Sequence, residues 1–174
     1  MKRFKDYEVL VEEHAYSSVQ VKMPICIGIQ MMELAASIPD EDLAEDGRDM
    51  RPHITIKYGL HSTNPDIIKN LELPERITVI LGKTSLFRTE DADVLKIDVD
   101  SDDLVRLNKL ITDKTENTTT YSEYNAHATI AYLKPGKGEP YVGDDRFDGI
   151  TWTFNNIEFS SKDDDEYISI SLRN

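Results

Sequence analysis

Two short segments repeat a pairing of histidine with threonine that suits proton transfer at a phosphate. His53-Ile-Thr-Ile-Lys-Tyr58 and His127-Ala-Thr-Ile-Ala-Tyr132 carry histidine, threonine, isoleucine and tyrosine at matching positions. An unperturbed histidine titrates near neutral pH, so two of them provide a general base and a general acid that can exchange roles. Two threonine hydroxyls between them would donate hydrogen bonds to a phosphoryl oxygen as charge develops on it. Such chemistry requires neither a metal nor another cofactor.

Both segments have the composition of β-strands, which would hold these side chains in place. Pro52, directly before the first segment, fits the start of a strand. Side chains alternate along a strand, so we expect His53, Thr55 and Lys57 to share one face. By the same alternation, His127 and Thr129 share the equivalent face of the second strand. The isoleucine and tyrosine side chains of both segments are expected on the opposite, core-facing side.

Other interpretations of the two histidines are available. Either one alone could be a hydrogen-bonded polar residue on a half-buried strand, whereas the matched pair favours catalysis. A zinc site is disfavoured, because neither strand has His-x-His or HExxH spacing and Cys26 is the single cysteine. The sequence therefore predicts a catalytic pair without a metal.

The remaining histidines lack this context. His61-Ser62-Thr63 has the same His-x-Thr spacing, but it runs into Asn64-Pro65, which is typical of a turn and a helix start. We expect His61 to lie in a loop, near the site at most. His14 has no threonine partner and is expected at the surface.

The surrounding pattern predicts an α+β fold in two similar lobes. Predicted strands lie at 16–22, 53–60, 76–84, 93–100, 128–133, 151–160 and 167–172, and predicted helices at 24–38, at 64–71 and after the N-cap Ser101. Segments 39–49, 115–120 and 134–149 are expected to be loops or connectors. The order of strand, helix and histidine-bearing strand occurs twice, which predicts two lobes with a cleft between them.

The composition limits the class of ligand. The 174 residues contain 20 Lys and Arg against 33 Asp and Glu, a formal net charge of −13. Duplex DNA and long RNA owe most of their affinity to neutralised phosphates, so we do not expect this chain to bind them. A small anion can still bind where a few basic groups converge, because salt screens remote charges beyond roughly 8 Å.

The sequence also predicts a cytoplasmic location. The longest apolar run, at 25–38, is interrupted by Gly28, Gln30 and Glu33 and falls short of the roughly 20 residues of a membrane span. The basic N-terminus is not followed by the apolar stretch of a secretory signal. With one cysteine there is no internal disulfide, as is usual in a reducing compartment.

The two motifs resemble a known family. His53-Ile-Thr-Ile and His127-Ala-Thr-Ile each match the H-hydrophobic-[ST]-hydrophobic signature of the 2H phosphoesterase superfamily, which includes RNA ligase-like cyclic phosphodiesterases. The resemblance implies a single bilobal domain over 1–174, with mainly antiparallel sheet, helices outside and a central cleft. It also implies that His53 and His127 are the acid and base, and that Thr55 and Thr129 bind the phosphate.

A narrower resemblance concerns the phage anti-CBASS branch of this superfamily. Tyr16-Ser-Ser-Val-Gln and Pro52-His-Ile-Thr-Ile-Lys-Tyr-Gly look like that branch, which cleaves cyclic oligonucleotide messengers of bacterial defence. It would imply a viral protein that acts in the host cytoplasm and evades immunity.

Further residues are candidates for substrate binding. Lys57 would neutralise a phosphate, or would be a solvated strand lysine. Tyr16 and Trp152 could stack on nucleobases, which is worth about 1–3 kcal/mol per base, although a lone Trp in a β-run is more often a core residue. Segment 134–149, with its Gly and Pro residues, is a candidate lid or an ordinary connection. The acidic run 163–166 is interpreted as a solvated turn rather than a cation site.

Three functions remain open from the sequence. The first is a metal-independent phosphodiesterase that hydrolyses 3′,5′-linked cyclic di- or oligonucleotides through attack by a ribose 2′-hydroxyl. The second is a 2′,3′-cyclic phosphodiesterase acting on RNA ends, and the third is a non-catalytic sponge that sequesters the messenger. The sequence leaves undecided which histidine is the base, which nucleobases are preferred and whether the chain forms oligomers.

Overall fold

The histidine-bearing segments are neighbouring strands of an antiparallel sheet. A computed structural model describes residues 16–162 and 166–173. The predictions for His14 and for the acidic run at 163–165 lie outside the described residues.

The chain forms strands with a few helices between them. The strands are β1 (Ser17–Lys22), β2 (Leu43–Arg48), β3 (His53–Leu60), β4 (Ile77–Arg88), β5 (Asp93–Asp100), β6 (His127–Leu133), β7 (Thr151–Phe154), β8 (Asn156–Ser160) and β9 (Tyr167–Ser171). The helices are α1 (Ile25–Ala36), α2 (Asp66–Lys69) and α3 (Asp102–Lys114), with 3-10 turns at Asp40–Asp42 and Glu139–Tyr141.

Within the described residues, nine strands form one sheet in the order β7-β4-β5-β6-β3-β1-β8-β9, with β2 beside β6. Strands β3 and β6 are therefore central. Each follows a strand and a helix, as β1-α1-β2-β3 and β5-α3-β6, so the predicted order occurs twice, with β2 as an additional strand in the first half. The strands β3-β1-β8-β9 form the first lobe and β6-β5-β4-β7 the second. The α+β architecture is the one expected from the sequence.

A single residue shows that the sheet is curled. Asn155 alone separates β7 from β8, although β7 lies at one edge of the sheet and β8 near the other. The two lobes must therefore approach each other at their outer strands. This corrects the prediction of one continuous strand at 151–160.

The helices cover the core-facing side of the sheet. Helix α1 contacts β6 and β2, whereas α3 contacts β3 and β4, so each helix packs against the central histidine-bearing strand of the other half of the sheet. Leu104, Leu107 and Ile111 recur every three or four residues on α3 and are buried. Ser101 caps this helix by accepting a hydrogen bond from the Leu104 amide at 3.2 Å.

Segment 39–49 contains a strand where the sequence predicts a loop. Leu43 and Arg48 of β2 pair with Leu133 and Ala131 of β6. Arg48 also donates from Nε to the Ala35 carbonyl at 2.8 Å, and so ties β2 to the end of α1. The acidic composition therefore gave no sign of this strand, whose two end residues pair with β6.

Segment 134–149 is fastened to the second lobe, so it is an ordinary connection and not a lid. The buried Asp93 carboxylate accepts hydrogen bonds from the amides of Gly136 and Gly138, each at 3.0 Å. Thr84 Oγ1 donates to the Tyr141 carbonyl at 2.5 Å, and the Phe147 side chain is fully buried. Opening this segment would break these bonds and expose Phe147.

No helix in the described part of the chain combines the length and apolar character needed to cross a membrane.

Candidate active site

The two His-x-Thr motifs meet where β3 and β6 pair. Ile54 and Ala128 are directly opposite each other in the antiparallel ladder. His53 and Thr129 therefore flank this pair on one side, while Thr55 and His127 flank it on the other. The structure thus brings together the four residues that the sequence predicts to be catalytic.

Each motif is followed by a β-bulge at the same position. Across from β3, the consecutive residues Val19 and Gln20 pair with Lys57 and Thr55, which leaves Ile56 as the extra residue. Across from β6, Leu95 and Lys96 pair with Ala131 and Thr129, which leaves Ile130 as the extra residue. A bulge shifts the alternation of side chains, and such bulges are common beside active sites.

The bulges correct the predicted faces of both strands. Because Thr55 pairs with Gln20 and Lys57 with the buried Val19, Thr55 and Lys57 project from opposite faces. Lys57 therefore does not share the face of His53, contrary to the prediction. The same shift places Tyr58 and Tyr132 on the face of the histidines, where the sequence predicted the opposite.

The surroundings of Lys57 indicate a structural role for this residue. Its side chain is buried, and Nζ donates to Thr119 Oγ1 at 2.9 Å in the segment that leads to β6. Burial lowers the pKa of Lys57, because the charged ammonium is poorly solvated there. The bulge next to it is also held, since Asn108 of α3 donates to the Ile56 carbonyl at 2.7 Å.

Both histidines are held by the same hydrogen bond. His53 Nδ1 lies 2.7 Å from the Arg51 carbonyl, and His127 Nδ1 lies 2.8 Å from the Asn125 carbonyl. A carbonyl oxygen only accepts, so Nδ1 carries the proton in each bond. Nε2 is then the nitrogen that is left free of the proton, so the tautomer of both imidazole rings is fixed by these bonds.

The environment of His127 favours the neutral imidazole. Burial is the largest effect and lowers its pKa, while the hydrogen bond from Nδ1 to Asn125 raises it. The positive charges of Lys96 and His53 lower the pKa further, and the Asp98 carboxylate raises it. The influence of His53 also shows that the two histidines lie within electrostatic range of each other.

Lys96 is a residue of this site that the sequence analysis missed. It lies on β5 directly opposite Thr129, and its neighbour Asp98 lies opposite His127. Nζ donates to Ser85 Oγ at 2.7 Å, forms an ion pair with Asp98 and lies 4.3 Å above the Phe87 ring. Lys96 and Asp98 are two residues apart on a predicted strand, but nothing in the sequence indicated that β5 pairs with β6.

Phe87 closes the second lobe around His127. Its ring contacts the His127 ring edge to face, with centroids 5.0 Å apart, and it is 39% exposed. A half-exposed aromatic ring that touches a candidate catalytic group limits the access of water to one side of that group.

The first lobe carries a comparable ionic cluster. Arg51 Nη2 donates to both carboxylate oxygens of Glu158, at 3.0 and 2.9 Å, and Gln20 Nε2 donates to Glu158 at 3.3 Å. The Arg51 guanidinium lies 3.6 Å from the centre of the Tyr167 ring. Since the Arg51 carbonyl also accepts from His53, this cluster fixes the backbone that orients the first histidine.

Tyr16 lies at the far end of β3 from His53. It stacks on His61 with ring centroids 5.5 Å apart and meets Tyr58 edge to face at 5.8 Å. His61 follows β3 in a loop, as predicted, and its Nε2 bonds Thr118 Oγ1 at 2.8 Å. Through Tyr58, Tyr16 adjoins the histidine face of the sheet, so its role in stacking a nucleobase stays a prediction.

Trp152 is not brought to this site. It pairs with the fully buried Val79 on β4, so its side chain projects from the core-facing side of the sheet. Strands β4 and β5 also separate β7 from β6. Trp152 is 38% exposed on the edge strand β7, and its role in binding substrate stays a prediction.

Among the described residues, no three His, Cys, Asp or Glu side chains cluster closely enough to hold a metal ion.

Solved structures share this fold. The protein TT0787 of Thermus thermophilus matches with a TM-score of 0.62 and 12% identity over 91% of this chain and 95% of its own. Usb1 of Kluyveromyces marxianus, solved with uridine monophosphate, matches with a TM-score of 0.57 and 9% identity over 92% and 100%. A further protein described as a phosphoesterase matches with a TM-score of 0.58 and 14% identity over 91% and 96%.

The α+β fold with a mainly antiparallel sheet, expected from the sequence, is therefore shared with these solved structures. No family model matches the sequence, and no curated protein is similar enough to it to count as a relative.

Proposed function

We propose that this protein is a metal-independent phosphodiesterase that cleaves small 3′,5′-linked cyclic di- or oligonucleotides. The observation that carries the proposal is the meeting of two His-x-Thr motifs at the Ile54–Ala128 pair, with each histidine held through Nδ1. This arrangement supplies two proton-transfer groups and two hydroxyl donors around one point. The phosphoesterase and the uridine monophosphate complex among the structures of the same fold agree with a phosphate-bearing nucleotide.

The chemistry that suits this arrangement is attack by the substrate's own ribose. One histidine accepts the 2′-hydroxyl proton at Nε2 while the 2′-oxygen forms a bond to phosphorus. The bond from phosphorus to the 5′-oxygen breaks, and the second histidine protonates that oxygen. The products are a 2′,3′-cyclic phosphate and a 5′-hydroxyl, and water can open the former with the two roles exchanged.

Intramolecular attack answers the main chemical difficulty. Two histidines without a metal are poorly equipped to make hydroxide, but a hydroxyl held beside phosphorus has an effective molarity of roughly 10⁵ M or more. Thr55 and Thr129 would donate to the non-bridging oxygens, which gain charge in the transition state.

The choice of a small cyclic messenger rests on charge and on resemblance. A net charge of −13 disfavours duplex DNA and long RNA. The anti-CBASS resemblance of the segments around Tyr16 and Pro52 supports a cyclic oligonucleotide, and with it a viral protein acting in the cytoplasm of an infected cell. Tyr16, on the histidine face beside Tyr58, would stack on one of the bases.

The test uses a catalytic amount of protein with an excess of a 3′,5′-linked cyclic dinucleotide, its 2′-deoxy analogue and a 2′,3′-cyclic mononucleotide, read by mass spectrometry. We expect the first to be linearised, the second to be bound but uncut, and EDTA to leave the rate unchanged. Equal cleavage of the deoxy analogue, or activity lost to EDTA and restored by Zn²⁺ or Mn²⁺, would overturn the mechanism. Opening of the mononucleotide alone would support the RNA-end enzyme, and binding without turnover would support the sponge.

A further inference from the structure

The two motifs are nearly identical, yet their neighbours differ. His53 has the exposed Lys22 opposite it on β1, and the Asp49 carboxylate lies 3.6 Å from its Nδ1. His127 has Asp98 opposite it on β5, but there the carboxylate is engaged by other groups. What distinguishes the two histidines is therefore the set of charges around them.

Lys96 and Ser85 both bind the Asp98 carboxylate, which would otherwise be free to interact with His127. Lys96 Nζ forms an ion pair with Asp98 Oδ1, and Ser85 Oγ donates to the same oxygen at 2.9 Å. The Lys96 side chain is 9% exposed, whereas that of Asp98 is 55% exposed. A buried cation is screened less by water than an exposed carboxylate, so Lys96 dominates the field at His127.

The groups that face His127 come from four segments: Lys96 and Asp98 on β5, His53 on β3, Phe87 on β4, and the Asn125 carbonyl before β6. Two of these groups are positive when protonated and one is negative. The negative group, the Asp98 carboxylate, is bound by the Lys96 ammonium and the Ser85 hydroxyl, and the Phe87 ring contributes no charge.

We propose that Lys96 is a positioning residue: by binding the Asp98 carboxylate it keeps His127 neutral, which makes His127 the general base and His53 the general acid. The inference deepens the proposed function and rests on it for the catalytic roles. Lys96 acts here through Asp98 and His127, without touching the substrate.

The first test is an NMR titration of the histidine side chains in the full chain, which has four histidines. The single variants K96M and D98N, the double variant K96M/D98N and the conservative K96R are compared, with resonances assigned from H53N, H61N and H127N. Removing Lys96 leaves Asp98 free to stabilise the His127 imidazolium, whereas removing Asp98 leaves Lys96 unopposed. We expect the pKa of His127 to rise in the order D98N, wild type, K96M/D98N and K96M.

The second test is the pH dependence of kcat/KM on the cyclic dinucleotide. In K96M the acid limb should move up by about one pH unit, so that activity at pH 6 falls more than activity at pH 8. D98N in the K96M background should move the limb back and recover activity, and K96R should resemble wild type. A K96M variant that loses activity equally at all pH values, without rescue by D98N, would show that Lys96 acts on the phosphate or on folding instead.

The titration needs no turnover, so the two proposals fail separately. A protein that cuts none of the substrates but shows the expected order of His127 pKa values would contradict the proposed function alone. An unchanged or lowered His127 pKa in K96M would overturn the role of Lys96, whether or not the substrate is cut. An acid limb that does not follow the His127 pKa across the variants would overturn the assignment of His127 as the base.

Discussion

His53 and His127 donate their Nδ1–H groups to backbone carbonyls at the same spacing, two residues earlier in the chain. The carbonyls belong to Arg51 and Asn125, which precede β3 and β6. Each ring is therefore oriented by the turn that leads into its own strand. A substitution that keeps this bond but removes the titrating nitrogen separates proton transfer from support of the fold.

Asparagine makes that separation possible, because its side-chain amide can donate to the same carbonyl. We expect H53N and H127N each to reduce kcat by roughly 10²–10⁴-fold, as for loss of a general acid or base. H61N is the matched control, since His61 lies in a loop and bonds Thr118. Initial rates on the cyclic dinucleotide, with melting curves for all three variants, provide the measurement. A loss in H61N as large as in the other two would contradict the choice of motifs.

The threonine hydroxyls are tested by an isosteric change. Valine keeps the branched shape and the β-preference, so T55V and T129V should remain folded. We expect kcat to fall by roughly 10- to 1,000-fold in each, because a donor to the charged oxygen is lost. T153V is the control, since Thr153 lies on the edge strand β7, where its hydroxyl forms a hydrogen bond with the hydroxyl of Thr78 on β4. Equal activity of T55V, T129V and T153V would remove the hydroxyls from the mechanism.

Lys57 should prove dispensable for binding phosphate. Its ammonium lies on the core-facing side of the β3 bulge and bonds Thr119. Methionine has a similar length and no charge, and burial already disfavours the charged ammonium at this position. We expect K57M to keep its kinetic constants within a few-fold of wild type, whereas T55V on the same strand does not. If folded K57M instead needed a far higher substrate concentration for half-maximal rate, the lysine would have to reach the substrate.

The alternation of residues predicts much of this architecture, and the bulges explain where it fails. Strand β3, strand β6 and the helix capped by Ser101 follow from local signals, namely period-two alternation and a capping residue. The extra residues Ile56 and Ile130 leave no such signal, because a bulge is defined by the hydrogen-bond ladder with the neighbouring strand. Because the extra residue in β3 was not detected, the sequence predicted the wrong face of the strand for Lys57.

The remaining part of the site depends on strand order, which the sequence does not specify. Lys96 becomes relevant only because β5 pairs with β6, and Trp152 lies away from β6 in the sheet because β4 and β5 separate β7 from β6. Contacts between residues distant in the chain therefore decide which polar residues accompany the motifs. The motifs themselves are local, so they were visible at once.

The pKa of His127 also makes a prediction about stability. Burial and nearby positive charge lower this pKa in the folded state, so the unfolded chain binds the proton more readily. The contribution of His127 to stability is present above the unfolded pKa of about 6.5 and is lost as the pH falls towards the folded value. Urea unfolding at several pH values should show wild type losing stability relative to H127N between pH 7.5 and 5. A constant difference across this range would contradict the shift.

At Gly59, the backbone of β3 closely approaches the segment that leads to the second motif. It has φ +95°, and an added Cβ would lie 2.1 Å from the Thr118 carbonyl oxygen. That close approach is part of a short ladder, since the Thr118 amide donates to the Gly59 carbonyl at 2.8 Å and Leu60 bridges to Asn117. An alanine at this position would have to push the backbone of the connecting segment away.

Gly136 offers a matched control for that substitution. It has a similar φ of +84°, but nothing lies within 4 Å of the position of its Cβ. We expect G136A to lower the free energy of unfolding by about 1–2 kcal/mol, from backbone strain alone. G59A adds the clash with Thr118 and should lower it by about 2–4 kcal/mol, with a further loss of activity because the displaced segment leads to His127. Urea midpoints and rates for both variants provide the comparison, and equal destabilisation would show that the approach of Thr118 places no constraint on Gly59.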